Sequence, residues 1–377
     1  MNRVNSYAWG SMGIALATGC LLMALATNGQ KMDGGSPARW RVAEPIRYEN
    51  VSIFPVLGSQ SVDTKGFATL DEALGAGEAV VSERGTDIMR RSRDERPVAI
   101  PEERGASVNQ LVLINRGSKP LILLAGELVS GGKQDRIISK DRIIPVGAQP
   151  LPLDVFCVEQ GRWSSGTQFS GAKLMVHPSV REKAAVDHEQ TRVWEAVRSG
   201  TTSDAAPAST AQTTLITPRT IGGLMATEAP TAAYQKIYKS PQVASSVEPF
   251  VEEIQTRFAR RTAELKGESV VGVVIAYGGE VAWSDIFASP ELFVRYWPKL
   301  LRSFVVEALA RPHSKEQASL DDARDFMRPL TGHESIESEP GVYSLREVTA
   351  GRYVEIELEA LRPRDVTLHS LKVHRTS

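Results

Sequence analysis

In the first part of the chain, short runs of alternating apolar and polar residues are separated by glycine, proline and clustered charges. Alternation with a period of two residues is typical of half-buried β-strands. The runs over 136–139, 142–146 and 151–158 follow one another closely, which predicts an antiparallel meander. Residues 116–120 have the length of a hairpin connection between the two runs on either side of them. The predicted strands cover residues 51–56, 78–82, 111–115, 121–125, 136–139, 142–146 and 151–158.

The spacing of apolar residues changes to a helical one in the middle of the chain. We expect a helix over 177–199 and further helices over 233–238 and 247–265. Residues 199–231 are rich in Ser, Thr, Ala and Pro and contain few bulky apolar side chains. Such a segment cannot bury enough surface to order itself, so we predict an exposed insertion or linker.

A hairpin and a capped helix are predicted next. A glycine pair separates the apolar runs 270–277 and 280–287, as in a two-residue β-hairpin. A serine followed by a proline then begins a helical pattern over 289–310, because these residues suit the cap and the first position of a helix. Pro298 lies inside this pattern and predicts a kink or a break.

Residues 311–377 form a C-terminal extension in which alternation at 353–358 and 366–373 predicts two strands. Combined with the hairpins, the meander and the helices, this pattern indicates an α+β fold. We expect antiparallel β-sheets packed with helices.

Residues 1–26 have the layout of a secretory signal peptide. One arginine precedes an apolar run that is short for a membrane-spanning helix, and Ala-Leu-Ala precedes a polar segment. We expect cleavage after Ala26, which makes the mature protein secreted or periplasmic, with 27–46 as an N-terminal linker. Lipidation of Cys20 and an uncleaved anchor are the alternatives. No other stretch of the sequence is long and apolar enough to span a membrane.

Charge and cysteine content exclude some classes of function. The chain has 44 Lys and Arg against 45 Asp and Glu, a formal net charge of −1. A near-neutral chain lacks the basic footprint of a nucleic-acid-binding protein. After signal cleavage Cys157 is the one cysteine left, so an intramolecular disulfide is excluded.

Polar residues interrupt the apolar runs most densely between residues 122 and 163. Unpaired charge is costly to bury, so these side chains need partners or a ligand. We expect the segments GGKQDR and CVEQGRW to converge, because two strand reversals bring their ends to related positions on the sheet. The candidate catalytic residues are Glu127, Glu159 and Cys157, and the candidate ligand-binding residues here are Lys133, Gln134, Arg136, Arg162 and Trp163.

The first of these candidates have structural alternatives. The Gly-Gly-Lys sequence ending at Lys133 is similar to a phosphate cradle, but the P-loop pattern fails on both sides of it. Lys133 and Arg136 therefore either bind phosphate or belong to a polar turn with solvated charges. Cys157 is either a nucleophile, which requires a base and a lowered pKa, or a buried, inert thiol.

The remaining candidate residues also have both a functional and a structural interpretation. Gly161 permits a turn that aims Glu159 and Arg162 at one point, where Trp163 would stack on a base or a sugar. The alternative is a structural Glu–Arg pair with the tryptophan covering the core. Glu127 and Glu159 would also be a carboxylate pair for acid–base work, as in glycoside hydrolysis.

Asp285 precedes the late helix and either points at the site or helps to cap that helix. The six histidines show no pair at the spacing of helical metal ligands, and no cysteine pair is present. The sequence therefore predicts no metal site, and it contains no motif that identifies a cofactor.

Four segments resemble one bacterial family: GELVSGGKQDR, CVEQGRW, QTRVWEAV and the block that begins GGEVAWSDIF and contains WPKLLRS. The family is the ARG and rhodanese-phosphatase-superfamily-associated protein domain, where ARG stands for ADP-ribosylglycohydrolase. The resemblance covers about 47–309, and we therefore take 47–310 as the family domain. It implies a role in processing ADP-ribose or related NAD-derived compounds, inferred for the family from gene-neighbourhood association.

Two classes of function follow. The first is an exported binding or accessory domain that recognises a small anionic or nucleotide-like ligand through residues 127–163. The second is a hydrolase that acts on ADP-ribose-like, phosphorylated or glycosidic small molecules, with Glu127 or Glu159 as the acid/base.

Overall fold

The computed structural model describes residues 40–58, 62–84, 110–147, 149–159, 166–199, 234–265, 267–362 and 365–375. Its strands are β1 Trp40–Val42, β2 Ile46–Tyr48, β3 Val51–Gly58, β4 Ala68–Thr69, β5 Ala79–Glu83, β6 Gln110–Asn115, β7 Leu121–Leu123, β8 Glu127–Gly131, β9 Arg136–Ile138, β10 Arg142–Ile144, β11 Leu151–Cys157, β12 Gln168–Met175, β13 Ser269–Tyr277, β14 Glu280–Phe287, β15 His333–Glu339, β16 Tyr343–Ala350, β17 Tyr353–Ala360 and β18 Val366–His374. Its helices are α1 Leu70–Gly75, α2 Pro178–Glu182, α3 Gln190–Ser199, α4 Gln235–Lys239, α5 Pro241–Glu264, α6 Pro290–Ala310 and α7 Leu320–Phe326. The predicted signal peptide and nearly all of the predicted insertion lie outside the described residues.

A nine-stranded antiparallel sheet forms one layer of the described structure, in the order β1-β3-β13-β14-β18-β17-β16-β15 with β2 paired to β3. The predicted hairpin of β13 and β14 is confirmed. The region 311–377 contributes four strands rather than the two predicted. β15 was missed because all seven of its residues are exposed, so the apolar alternation that marks a half-buried strand is absent.

A closed six-stranded barrel, in the order β11-β6-β5-β12-β8-β9, lies beside the sheet. Its apolar core includes Val81, Leu111, Leu113 and Val155, all almost completely buried. Closure leaves no free strand edge within the barrel. The barrel therefore holds the ends of β8, β9 and β11 at fixed positions, and most of the candidate residues lie there.

The predicted hairpin over 111–125 and the predicted meander are wrong. β6 belongs to the barrel, whereas β7 pairs with β10 and, in parallel, with β4. β9 pairs with β8 and β11 rather than with β10. Part of the reason is Asn115, whose Nδ2 donates to the carbonyls of Lys119, Ile144 and Pro145. These bonds tie the short connection to β10 instead of folding it back on β6.

The helices follow their local signals. Thr69 caps α1 with a capping box, and Ser289 caps α6 by accepting from the Leu292 N–H. α6 runs through Pro298 as one helix. The carbonyl freed by the missing proline N–H belongs to Val294, a residue 63% exposed to solvent, where water can satisfy it.

One apolar core joins the large sheet, α5, α6 and the neighbouring side of the barrel, with Trp283, Phe293 and Met175 among its members. The described residues from 40 onwards therefore fold as one compact unit. The α+β class with antiparallel sheets is confirmed.

Candidate functional site

The described candidate residues, apart from the exposed Lys133, belong to three largely buried clusters. We call these the arginine cluster (Glu83, Gln134, Asp135, Arg136, Cys157 and Glu159), the lysine cluster (Asp71, Glu127 and Lys299) and the histidine cluster (Asp141, Arg181, Asp285 and His369). Buried charges of this kind are tolerated only when they are paired and hydrogen-bonded, so the partners of each cluster indicate its role.

The arginine cluster brings the segments GGKQDR and CVEQGRW together. Cys157 lies directly opposite Arg136 in the pairing of β11 with β9. The backbone N–H of Asp135 donates to Oε2 of Glu159 at 3.0 Å. The predicted convergence is therefore present for the described residues, and direct pairing of β9 with β11 produces it instead of a meander.

The glycine loop before Arg136 already uses its backbone donors within the protein. Gly131 N–H donates to Oδ1 of Asp135 at 3.0 Å, Gly132 N–H to the Gln168 carbonyl at 2.9 Å and Lys133 N–H to Oε1 of Glu83 at 2.8 Å. A phosphate cradle needs such donors to point at the ligand. Here two carboxylates and a carbonyl occupy them, which matches the polar-turn interpretation.

Arg136 is the buried cation of this cluster. Its Nη1 lies 3.4 Å from Oε1 of Gln134 and 3.3 Å from the Asp135 carbonyl, and its Nη2 lies 4.0 Å from Oε1 of Glu83. Its Nε has no hydrogen-bond partner among the described residues. Lys133, in contrast, is exposed. The contacts of the guanidinium with the described residues are therefore all long, at 3.3 to 4.0 Å.

Cys157 lies in the environment of an inert thiol. Burial raises the pKa of the thiol, although the Arg136 guanidinium acts in the opposite direction. The side chain of Gln190 brackets the backbone of Cys157, accepting from its N–H at 2.8 Å and donating to its carbonyl at 2.9 Å. A nucleophilic cysteine requires the opposite shift in pKa.

Arg162 and Trp163 lie outside the described residues. The proposed aim of Glu159 and Arg162 at one point, and the stacking role of Trp163, stay predictions. Glu159 itself is completely buried.

The lysine cluster gives Glu127 a structural environment. Lys299 Nζ donates to Oδ2 of Asp71 at 2.7 Å and also bonds Oε1 of Glu127, while the Leu124 N–H donates to the other Glu127 oxygen at 2.6 Å. Burial opposes the charged form of Lys299, but the attraction of Glu127 and Asp71 outweighs it and raises its pKa. Both Glu127 oxygens are thereby engaged inside the core.

The structure does not bring Glu127 and Glu159 together as an acid–base pair. Glu127 begins β8, whereas Glu159 lies beside Asp135, which bonds Gly131 at the other end of the same strand. Four residue steps along a strand amount to about 13 Å. The carboxylates of glycosidases are about 5–9.5 Å apart.

The histidine cluster is built around His369 of β18. Its Nδ1 faces Oδ2 of Asp141 at 2.5 Å and its Nε2 faces Oδ1 of Asp285 at 3.0 Å. Arg181 of α2 donates from Nη1 to both oxygens of Asp285, at 2.8 and 2.9 Å, and Trp283 Nε1 donates to Oδ2 of Asp285 at 2.8 Å. Asp285 therefore binds Arg181 and His369, and the capping interpretation is wrong because Ser289 caps α6.

The charges of this cluster balance. Burial opposes protonation of His369, yet Asp141 and Asp285 outweigh it and raise the His369 pKa to about 9. Burial likewise opposes ionisation of Asp285, but Arg181 and His369 outweigh it and lower the pKa of Asp285. An imidazolium between two carboxylates, with a guanidinium beyond, is the neutral arrangement that burial requires.

Two further features position this cluster. Arg181 passes over Gly126, where a Cβ would lie 2.7 Å from Arg181 Cγ, and donates from Nε to the Ala125 carbonyl at 2.7 Å. α2 itself is anchored to α6, because Glu307 accepts from the N–H and the hydroxyl of Ser179 at 2.9 and 2.6 Å. Gly126, at a φ of +88°, is thus required by both conformation and space.

Asp141 connects the histidine cluster to a cleft of about 310 Å³. Its Oδ1 accepts from the Ala125 N–H at 2.8 Å. The cleft lies between the barrel, the residues that follow α2, and strands β15 to β17. The lining residues are Ala125, Lys140, Asp141, Ala185, His188, Ser335, Glu337, Leu345, Glu347 and Ile356.

Sequence reasoning missed most of this cleft. Lys140 and Asp141 lie inside the polar segment that it singled out, but their partners Glu337 and His369 come from the last strands. The available signal was His369, an imidazole that falls among the apolar residues of the predicted strand 366–373. Within the parts of the chain that the structure describes, no group of three or more His, Cys, Asp and Glu side chains is arranged to hold a metal ion.

Fold and site together define an α+β protein in which a closed barrel and an antiparallel sheet enclose a small polar cleft. The chain belongs to the family described as the ARG and Rhodanese-Phosphatase-superfamily-associated Protein domain, whose sequence model matches residues 39–375. The match includes the last four strands and so extends beyond residue 309. No curated protein and no solved structure matches the chain. None of the described helices combines the length and the apolar character needed to cross a membrane.

Proposed function

We propose that this protein binds a small, hydroxyl-rich molecule, such as the sugar part of a nucleotide-like compound, in the cleft beside Asp141. The observation that carries the proposal is the position of the Asp141 carboxylate. His369 and the Ala125 N–H hold it rigidly on the wall of a cavity of about 310 Å³. Ligand sites are typically cavities of about this size with a few fixed polar groups.

The charges around the cleft favour a ligand that donates hydrogen bonds. Lys140 Nζ donates to both oxygens of Glu337 at 2.7 Å, and His369 balances Asp141. Glu347 adds a further carboxylate to the lining, so acceptors outnumber unpaired cations. Hydroxyl groups are suitable donors, and Leu345 and Ile356 supply apolar surface for the carbon face of a sugar ring.

An anionic ligand at Lys133 and Arg136 stays a separate prediction. The long contacts of the Arg136 guanidinium and the exposure of Lys133 support it. The engagement of the loop N–H groups by Glu83 and Asp135 counts against it. It depends on residues that do not line the cleft.

Hydrolysis of a glycosidic bond is the second candidate function. One observation favours it: three carboxylates, those of Asp141, Glu337 and Glu347, line the same cleft. Glycoside hydrolysis uses two carboxylates on either side of the bond that breaks. The family's association with ADP-ribosylglycohydrolases points to the same class of bond.

The binding proposal is tested by thermal unfolding with a panel of adenosine, ADP-ribose, ribose and inorganic phosphate. A ligand that binds only the folded state stabilises it and so raises the melting temperature. At a ligand concentration one hundred times Kd, the free energy of unfolding increases by about 2.7 kcal/mol. We expect adenosine or ADP-ribose to raise it and inorganic phosphate alone to leave it unchanged. Stabilisation by phosphate only would contradict the proposal. Chromatography of the ADP-ribose samples shows whether hydrolysis accompanies binding.

We also propose that the protein acts outside the cytoplasm after removal of residues 1–26. The arginine, the apolar run and the Ala-Leu-Ala site support this. N-terminal sequencing of the protein from the native cell should begin near Thr27. An intact Met1, or a lipid-modified Cys20 at the new terminus, would contradict it.

A further inference from the structure

Strand β15 forms one edge of the nine-stranded sheet. It pairs with β16 along its whole length, and no other described strand pairs with it. All seven residues of β15 are exposed, including Ile336, whose exposure is 62%. A seven-residue edge strand with an exposed isoleucine is a template for pairing with another strand.

The sequence of β15, His-Glu-Ser-Ile-Glu-Ser-Glu, is complementary to itself. Consider two copies that pair antiparallel about a two-fold axis through Ile336. Every glutamate then faces a serine or a histidine, and the two isoleucines face each other. The pairs are His333 with Glu339, Glu334 with Ser338, Ser335 with Glu337, and Ile336 with Ile336.

Other registers of the same two strands are worse. A shift by one residue places Glu334 opposite Glu337 or Glu339, and like charges directly opposite destabilise a strand pair. A shift by two residues either opposes two copies of Glu337 or shortens the ladder and leaves Ile336 opposite Glu334. The register centred on Ile336 alone pairs all seven residues without opposing two glutamates.

Neighbouring cations reduce the remaining repulsion between the acidic strands. Lys140 Nζ bonds both oxygens of Glu337, and Arg346 Nε lies 3.2 Å from Oε1 of Glu334. Glu339 is the one glutamate of β15 without a cation partner among the described residues, and His333 lies opposite it in this register.

We propose that a second copy of this chain docks on β15, which makes a symmetric dimer with one continuous sheet across the two-fold axis. Such an interface uses the same strand on both copies, as symmetric dimers require. The inference is independent of the proposed ligand.

Charge substitutions at Ser338 test the register. Ser338→Lys places an ammonium opposite Glu334 of the other copy, twice per dimer, whereas Ser338→Glu places a carboxylate there. We expect sedimentation velocity to show a dimer whose Kd falls about fivefold or more in the first variant and rises by a similar factor in the second. Equal behaviour of the two variants, or a wild-type monomer at every concentration, would overturn the proposal.

Cross-linking gives a second readout. Ile336→Cys puts two thiols opposite each other on the axis, with Cβ atoms about 4.5–5.5 Å apart, so mild oxidation should yield a covalent dimer. Val294→Cys, at a position 63% exposed on α6, is the matched control and should yield no covalent dimer under the same conditions. Equal cross-linking of both variants would show that collisions, not β15 pairing, join the copies.

Discussion

The protonation state of His369 determines how many hydrogen bonds hold the histidine cluster together. A neutral imidazole carries one N–H and could donate to only one of its two carboxylate neighbours, whereas the imidazolium donates to both. The second proton therefore links Asp141 to Asp285 through a single ring. The same proton holds the cleft carboxylate in place.

The fold should lose stability as pH rises through the His369 pKa. That pKa is about 9 in the folded protein and about 6.5 in an unfolded chain. Because the folded value is the higher one, the contribution is complete below about pH 6.5 and lost as pH passes about 9. At about 1.4 kcal/mol per pKa unit, the difference between the two pKa values contributes about 3 kcal/mol to the free energy of unfolding. Urea unfolding at pH values from about 6 to 10 measures this contribution.

The control for this prediction is His313→Asn, because His313 is exposed and contacts neither carboxylate. Its unfolding free energy should follow the wild-type pH profile. A wild-type profile that stays flat between about pH 6.5 and 9 would show that His369 does not carry this proton.

At the scale of elements, Lys299 joins α6 to β8 and α1. It lies on α6, and its two carboxylate partners come from the start of the barrel strand β8 and from α1. The side chains of Lys299 and Glu127 are 5% and 2% exposed, so this pair is sealed from water and little screened by salt, whereas Asp71 is half-buried. The lysine cluster is thus an anchor between the barrel and the main helix.

Lys299→Met should destabilise the protein by about 3–5 kcal/mol, because it removes the cation from the buried carboxylate of Glu127 and the half-buried carboxylate of Asp71. Lys65→Met is the matched control: Lys65 pairs with Glu291 at 3.5 Å, but its side chain is 74% exposed. Its loss should cost at most about 1 kcal/mol. Urea unfolding of both variants measures the difference, and similar costs would refute the anchoring role.

Elements with local signals could be predicted from the sequence, whereas their partners could not. The hairpin of β13 and β14 and the capped helix α6 depend on neighbouring residues, so turn and cap chemistry located them. Closure of the barrel depends on pairings such as β12 with β5 and β8, which are distant in sequence. The short connection between β6 and β7 predicted a hairpin, but the two strands belong to different sheets.

The candidate site shows the same limit. The density of charge between residues 122 and 163 correctly indicated buried polar clusters, because apolar strands cannot accept unpaired charge. It could not show that Lys299 neutralises Glu127 or that Arg181 and His369 neutralise Asp285. Those partners lie more than 100 residues away in two of the three pairs.

At the scale of the whole molecule, the cleft exists only because three distant parts of the chain meet. The connection from the barrel strand β9 to β10 supplies Lys140 and Asp141, the residues after α2 supply Ala185 and His188, and strands β15 to β17 supply most of the remaining wall. Binding in the cleft would therefore stabilise the contact between barrel and sheet. The central claim is that a hydroxyl-rich ligand occupies this space.

The most direct test is calorimetric titration of ADP-ribose into the wild type and into a variant with a filled cleft. Leu345→Trp adds bulk to a half-buried residue of the lining, and Val294→Trp adds the same side chain at an exposed position of α6. We predict that the wild type and Val294→Trp bind equally and that Leu345→Trp binds at least about tenfold more weakly, or about 1.4 kcal/mol. Unchanged affinity in a folded Leu345→Trp variant would contradict the assignment of the cleft.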